Sequence, residues 1–460
     1  MVLLIYYLVK KNYRNYVLLF FSLLFYGWGE GEMMLVMLSS VVINYLFGLW
    51  IDKATQPKAQ KWILVLFVCA NLGLLMYYKY ANFFADNYNW AATHLGFSAV
   101  MWEKVVLPLG ISFFTFHGMS YVIDIYRKEI PVQKNPFSLA LYISFFPQLI
   151  AGPIVRYKDI GEQLENRQES LDLFVSGVQR FIIGLAKKVL IANHVGRVAE
   201  LVFQTPAGEL APDVAWIGLI AVSIQIYFDF SGYSDMAIGL ARMFGFRFLE
   251  NFVFPLSSKS MREFWTRWHI SLSSWFRDYV FIPLGGSRKS FMRTQVNLWI
   301  IFLLMGFWHG AEWIFVAFGI WHGSFIVLER FGLEKLMGRW PYLLKNIYVW
   351  IIYMVGNIIF SSKNLRYAWD YTIHLFTGHA DTTYAPVWEL FNAEFICIAI
   401  TGLILNYPVQ KLLEKKRERA SVKMQNGLLA IQYSLMLGIL VLCMAALANS
   451  TYNPFIYFRF

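Results

Sequence analysis

Two Trp-His-Gly triplets stand inside one apolar stretch of this 460-residue chain, residues 298–328, LWIIFLLMGFWHGAEWIFVAFGIWHGSFIVL. An imidazole titrates near ~6.5, so it can take or give a proton at neutral pH. At membrane depth a polar ring is expensive, and its default reading is functional. Gly306 and Gly310 flank His309 and allow close backbone approach. His322 repeats the triplet thirteen positions on. On a continuous helix that spacing leaves the two rings ~140° apart, so one straight helix cannot aim both at one point. Either the helix breaks, with Gly319 as the candidate, or only one ring serves chemistry. Glu312, three residues past His309, falls on a nearby helical face and could orient its ring.

Two further stretches concentrate polar groups. Residues 262–278, REFWTRWHISLSSWFRD, carry His269 with Trp265, Trp268 and Trp275 on one broad helical face. The segment is too charged to span a bilayer and reads as an interfacial amphipathic helix or an entry into the core. Residues 225–235, QIYFDFSGYSD, bring Asp229, Ser231, Tyr233, Ser234 and Asp235 together, with Gly232 loosening the helix. Acids beside hydroxyls can satisfy one another, so this is either a polar knot that pins helices or a substrate-lining cluster. His117, in the apolar run ISFFTFHGMSYVID, is a weaker candidate for lining a path.

The elements that must position these groups are membrane helices. Hydrophobic residues make up 58% of the chain, charged ones 15%, and mean hydropathy is +0.48. A soluble domain has about 25% charged residues, and so few charges could not cover a water-facing surface. The 17 Trp and 27 Tyr suit membrane–water interfaces. A spanning helix needs ~20 mainly apolar residues. Eleven runs approach that length: 16–28, 33–51, 62–78, 105–125, 137–155, 174–192, 214–230, 298–318, 347–360, 391–405 and 428–447. Several are short or broken by Gly or Pro, which predicts tilted or re-entrant segments. Met1–Val9 is apolar without a basic lead-in or cleavage site, and reads as part of a first span. No linker or repeat divides the chain, so one domain over 1–460 is expected.

The net charge of +11 is no nucleic-acid signal, because the basic residues sit in short loops between apolar runs. The stretches 52–61 and 411–423 read as cytoplasmic, and 86–94 and 377–384 as outside. Cys69, Cys397 and Cys443 have neither metal nor disulfide spacing and read as buried thiols. No phosphate loop, H-E-x-x-H or G-x-S-x-G motif is present.

These motifs resemble the membrane-bound O-acyltransferase superfamily, in its bacterial alginate O-acetylase branch. The resemblance rests on LPLGISFFTFHGMSYVIDIYR (107–127), FPQLIAGPIVRY (146–157), YFDFSGYSDMAIGLARMFGFRFLENF (227–252), EFWTRWHISLSSWFRDYVFIPLGGSR (263–288), MGFWHGAEW (305–313) and NPFIYFRF (453–460). It spans nearly the whole chain. It implies an all-α helical bundle in a bacterial cytoplasmic membrane, with a tunnel joining the two faces near the signature histidine. That histidine falls on His309, the second signature position on His269, and a further branch histidine on His322. The related D-alanyl transferases of teichoic acid synthesis share two of the motifs but usually carry a longer basic insertion between them. Here the connection, PLGGSRKSFMRTQVN, is short, which favours the acetylase branch.

The resemblance further implies an acetyl donor on the cytoplasmic side, acetyl-CoA, with no bound cofactor and no metal. It implies a polysaccharide acceptor outside, and an SGNH-hydrolase-like acetyltransferase as partner. Within such a site His309 is expected to deprotonate the hydroxyl, with His269 positioning the acyl carbonyl or stabilising charge. Trp265, Trp268 and Trp308 are expected to keep water from the thioester. D-alanyl transfer and a non-enzymatic polysaccharide transporter or export subunit stay open as alternatives.

Overall fold

A computed structural model describes residues 1–377, 389–408, 421–450, 452 and 454. Every regular element among them is helical. Seven helices are long and apolar enough to cross a membrane: Lys11–Lys53, Pro57–His94, Pro212–Met243, Phe291–His309, Trp313–Met337, Tyr342–Ser361 and Met424–Asn449. The eleven runs of the sequence do not map onto these one to one. The first two fall on one 43-residue helical run that turns at Gly31, whose φ is +54°. The run 137–155 is split at Phe145 into Pro136–Ser144 and Phe146–Leu149, since Pro147 cannot continue the first helix. The run 391–405 forms a helix of only 13 residues, Ala393–Leu405. In Met424–Asn449, Ile431, Leu435 and Leu437 are exposed. A long helix showing such residues outward faces lipid. The chain is thus an all-α, multi-pass membrane protein.

The basic loop 411–423 and the loop 377–384, which carries little positive charge, fall largely outside the described residues, as does NPFIYFRF. The cysteines correct one expectation. Cys443 is buried, but Cys69 and Cys397 are exposed on the outer faces of apolar helices, where a thiol meets lipid as readily as core.

The described residues group into two compact units. The first comprises Met1–Val178 and Ala237–Leu249. A polar cluster anchors its N-terminal helix: the Tyr6 hydroxyl donates to Glu169, the Phe244 carbonyl oxygen lies 2.8 Å from it, and Arg167 donates to Tyr6 at 2.8 Å. Burial would raise the Glu169 carboxyl, but the hydrogen bonds from Tyr6 and Arg14 outweigh it and hold its pKa below the usual value. His117 lies in this unit, fully buried in the helix Ile111–Tyr126 against the Tyr142 ring.

The second unit comprises Gln179–Met236 and Glu250–Phe460, and it holds His269, His309 and His322. Its centre is a hairpin of Phe291–His309 and Trp313–Leu328. The helix break lies at Gly310–Glu312, not at Gly319. Gly319 is instead where the two helices touch. A Cβ there would stand 2.3 Å from the Phe302 carbonyl oxygen, and one at Gly306 would stand 2.3 Å from that of Phe315. The sequence shows four glycines in this stretch, and only packing says which one bends the chain. Gly232 likewise does not loosen its helix, which runs unbroken over Pro212–Met243. It allows close approach instead, since a Cβ would meet the Gly184 carbonyl at 2.8 Å.

Candidate active site

The break after His309 resolves the angular problem posed by the sequence. His309 ends one helix and His322 lies in the middle of the next, so a hairpin rather than a rod presents them. Both rings line one narrow apolar cavity of about 30 Å³. Trp265, Trp268, Phe230 and Tyr353 line it as well. The His309 ring packs edge-on against Phe318 at 5.7 Å and Phe360 at 5.5 Å. The His322 ring sits 5.3 Å from Trp265 and 4.6 Å from Phe318. Two of the buried nitrogens at this cavity, Trp265 Nε1 and His322 Nδ1, have no hydrogen-bond partner among the described residues. A buried N–H without a partner costs roughly 1–3 kcal/mol, so an acceptor placed there by a substrate would recover that loss.

His269 is not among the residues that line this cavity, although it lies near enough to His309 to feel its charge. The sequence suggested one continuous helix over 262–278. The chain instead makes two, Met261–Arg267 and Ile270–Phe276, with His269 between them in the left-handed region at φ 45°, ψ 51°. The ring is fully buried, 4.7 Å from Phe230 and 6.0 Å from Trp308. Residues 250–290 belong to none of the seven apolar helices. Burial, and to a lesser degree the charge of nearby His309, hold the His269 pKa well below its usual value. The ring is therefore neutral at pH 7.

A fully buried asparagine that no motif had singled out holds this turn. The Asn251 carbonyl accepts the Ile270 N–H at 3.0 Å, and Asn251 Oδ1 lies 3.3 Å from His269 Nδ1. The same Oδ1 accepts the Ser271 N–H at 3.1 Å and the Ser271 hydroxyl at 2.9 Å. Its amide nitrogen donates to Ser234 Oγ at 3.1 Å.

The remaining candidates separate from the cavity. Asp229, Ser231, Tyr233 and Asp235 are not among its lining residues, although Phe230 and Ile226 of the same helix are. Cations from outside their own stretch answer the two acids. Asp229 pairs with Lys188 at 2.7 Å, and Asp235 pairs with Lys187 and Arg180, each at 2.7 Å. The lysines come from a π-helical turn, Lys187–Ala192, and a lysine pair inside an apolar run was the signal that could have found them. Trp308 stacks edge-on beside both His309 and His269. Glu312 lies past the end of His309's helix, exposed and at the start of the next, so the shared-face argument for it does not apply.

Comparison with known proteins fits this geometry. The sequence model of MBOAT, the membrane-bound O-acyltransferase family, matches residues 47–363. "Probable alginate O-acetylase AlgI" of Pseudomonas putida is 38% identical, over 99% of this chain and 96% of its own length. The protein of that name from Pseudomonas aeruginosa is 40% identical, over 88% of this chain and 80% of its own. The peptidoglycan O-acetyltransferase of Helicobacter pylori is 34% identical, over 75% and 71%. All are bacterial, and with its seven long apolar helices this chain is a multi-pass protein of the bacterial inner membrane. With two thirds of its length matched by the family, and relatives of this identity along nearly all of it, the chain is an acyltransferase and belongs to the membrane-bound O-acyltransferase family.

Proposed function

We propose that this enzyme takes an acetyl group from acetyl-CoA on the cytoplasmic side and delivers it for O-acetylation of a polysaccharide outside the membrane. Alginate is the first candidate polymer, because the relatives of 38–43% identity are named for it. A peptidoglycan acceptor is the second, on the Helicobacter relative. One observation carries the chemistry: His309 lines a buried, mostly aromatic cavity at the end of its helix, beside an unpartnered indole N–H.

In the reaction a hydroxyl oxygen attacks the thioester carbonyl carbon. The carbon–sulfur bond breaks as the carbon–oxygen bond forms. His309 takes the hydroxyl proton and passes it to the departing thiolate, so protons balance. The oxyanion needs donors, and the Trp265 N–H is suited to that role. His322 shares the cavity as an accessory ring. The aromatic walls keep water from the thioester, which limits its hydrolysis. The final acceptor hydroxyl belongs to the polysaccharide or to an SGNH-hydrolase-like acetyltransferase that relays the group.

The test is release of ester-linked acetate from cell-envelope and secreted polysaccharide. Wild type, a deletion and His309→Ala are compared, with membrane levels of the variant checked by immunoblot. Loss in both mutants supports the reading, and the fraction that loses acetate names the polymer. Unchanged acetate in the deletion overturns it and points to another acyl group, D-alanine first, or to transport without chemistry.

A further inference from the structure

Asn251 fixes which nitrogen of His269 carries the proton. The Ser271 backbone N–H can only donate, and it meets the Asn251 side chain at 3.1 Å. The amide atom facing it must therefore be oxygen, which fixes the amide orientation. The other end then donates its NH₂ to Ser234 Oγ, which can accept. With that oxygen 3.3 Å from Nδ1, and the Ser271 hydroxyl, 3.5 Å from the same nitrogen, already donating to the oxygen at 2.9 Å, Nδ1 is the nitrogen that bears hydrogen. A bare Nδ1 against a carbonyl oxygen would set two lone pairs together.

We propose that Asn251 is a positioning residue that locks His269 as the Nδ1–H tautomer, so that Nε2 is the ring's proton-accepting atom. This role rests on four groups of one turn gathered on one side chain and its carbonyl: the His269 ring, the Ser271 N–H and hydroxyl, and the Ile270 N–H. Those bonds also hold His269 in its left-handed backbone conformation, which costs a non-glycine residue roughly 1 kcal/mol. Both residues are fully buried, so water is in no position to substitute for the amide.

The tautomer changes the chemistry expected of His269. Holding an acyl oxygen would need an N–H at Nε2, and the neutral Nδ1–H ring has none there. Whatever Nε2 meets during the reaction must donate to it. In the acyl-transfer reading, on which this consequence rests, that partner is the attacking hydroxyl or His309 once it holds a proton. His269 then belongs to the proton path, and the oxyanion must be held by other donors.

The tautomer can be read directly by ¹⁵N NMR of the full-length protein, labelled at histidine and placed in lipid nanodiscs. His269→Gln assigns the signal by its loss. A protonated Nδ1 with a bare Nε2 at neutral pH is expected, and a proton on Nε2 overturns the proposal. That measurement needs no turnover, so it stands or falls separately from acetyl transfer. In turnover assays Asn251→Ala should lower the maximal rate at least about 10-fold with little change in the KM for the acetyl donor. Asn251→Asp keeps an oxygen facing Ser271 N–H and His269 Nδ1, and should recover much of that rate. Equal losses in Ala and Asp, with the His269 signal unchanged in both, would mean that Asn251 serves only packing.

Discussion

The His322 ring lies against the backbone of Gly356, so close that a Cβ on residue 356 would stand 2.5 Å from Nε2. No real side chain tolerates that distance, and the ring has no easy retreat. Trp265 and Phe318 hold it from other sides. Gly356→Ala must therefore push His322 within the cavity it shares with His309. We expect acyl transfer to fall at least about 10-fold, since small misplacements at a reacting site carry losses of that order or more. Expression and detergent-solubilised yield should stay near wild type. Full activity in Gly356→Ala would show that the position of His322 does not matter to the reaction.

The hairpin contact between Gly306 and Gly319 makes a second, harsher prediction. At both positions the obstacle is backbone, the Phe315 and Phe302 carbonyls, which cannot swing aside as a side chain can. Ala at either site has to separate the two helices that carry His309 and His322. Overpacking of this kind costs about 1–3 kcal/mol, and here it also spoils the site. Thermal unfolding in detergent should show a lower midpoint for Gly306→Ala and for Gly319→Ala, with activity lost beyond what the unfolded fraction explains. A wild-type midpoint in both would refute the close contact.

What the sequence made legible follows from what is local. The two Trp-His-Gly units, the aromatic company of His269 and the helical class were all readable, because each depends on residues adjacent in the chain. The helix break was legible as a need but not as a place. Gly310 and Gly319 look alike in sequence, and only the antiparallel contact decides that one ends a helix while the other packs against Phe302. Asn251 was invisible for a related reason. It lies eighteen residues from the ring it holds, in an irregular segment without periodicity. The cations that answer Asp229 and Asp235 come from more than forty positions away, so they could not be read from the acids' own stretch.

Those ion pairs give a third prediction. Asp235 is nearly buried between Lys187 and Arg180. Asp235→Asn removes the carboxylate that pairs with Lys187, while Arg180 keeps Glu250. Breaking one side of a buried pair leaves an uncompensated charge, at a cost of about 3 kcal/mol. Adding Lys187→Met to Asp235→Asn removes that charge and should return part of the stability. Denaturation midpoints of the single and double variants decide it. A double variant less stable than Asp235→Asn alone would mean that Lys187 contributes by packing rather than by pairing.

Acid should destabilise the fold through His269. Its folded-state pKa lies well below the ordinary value because the ring is buried, while in the unfolded chain it titrates near ~6.5. Below that pH the unfolded state binds a proton that the folded state does not. The stability due to the neutral, buried ring is thus fully present above about pH 6.5 and is lost as pH falls towards the folded-state pKa. The slope approaches about 1.4 kcal/mol per pH unit for this single group. His269→Gln lacks the titration, so its unfolding midpoint should fall less steeply than that of wild type between about pH 6.5 and pH 5. The comparison of slopes, not of absolute midpoints, isolates the ring from the carboxylates that titrate alongside it. Parallel slopes would mean that His269 accepts a proton in the folded protein about as easily as in the unfolded chain. A ring locked against Asn251 and closed off by Phe230 and Trp308 should not behave that way.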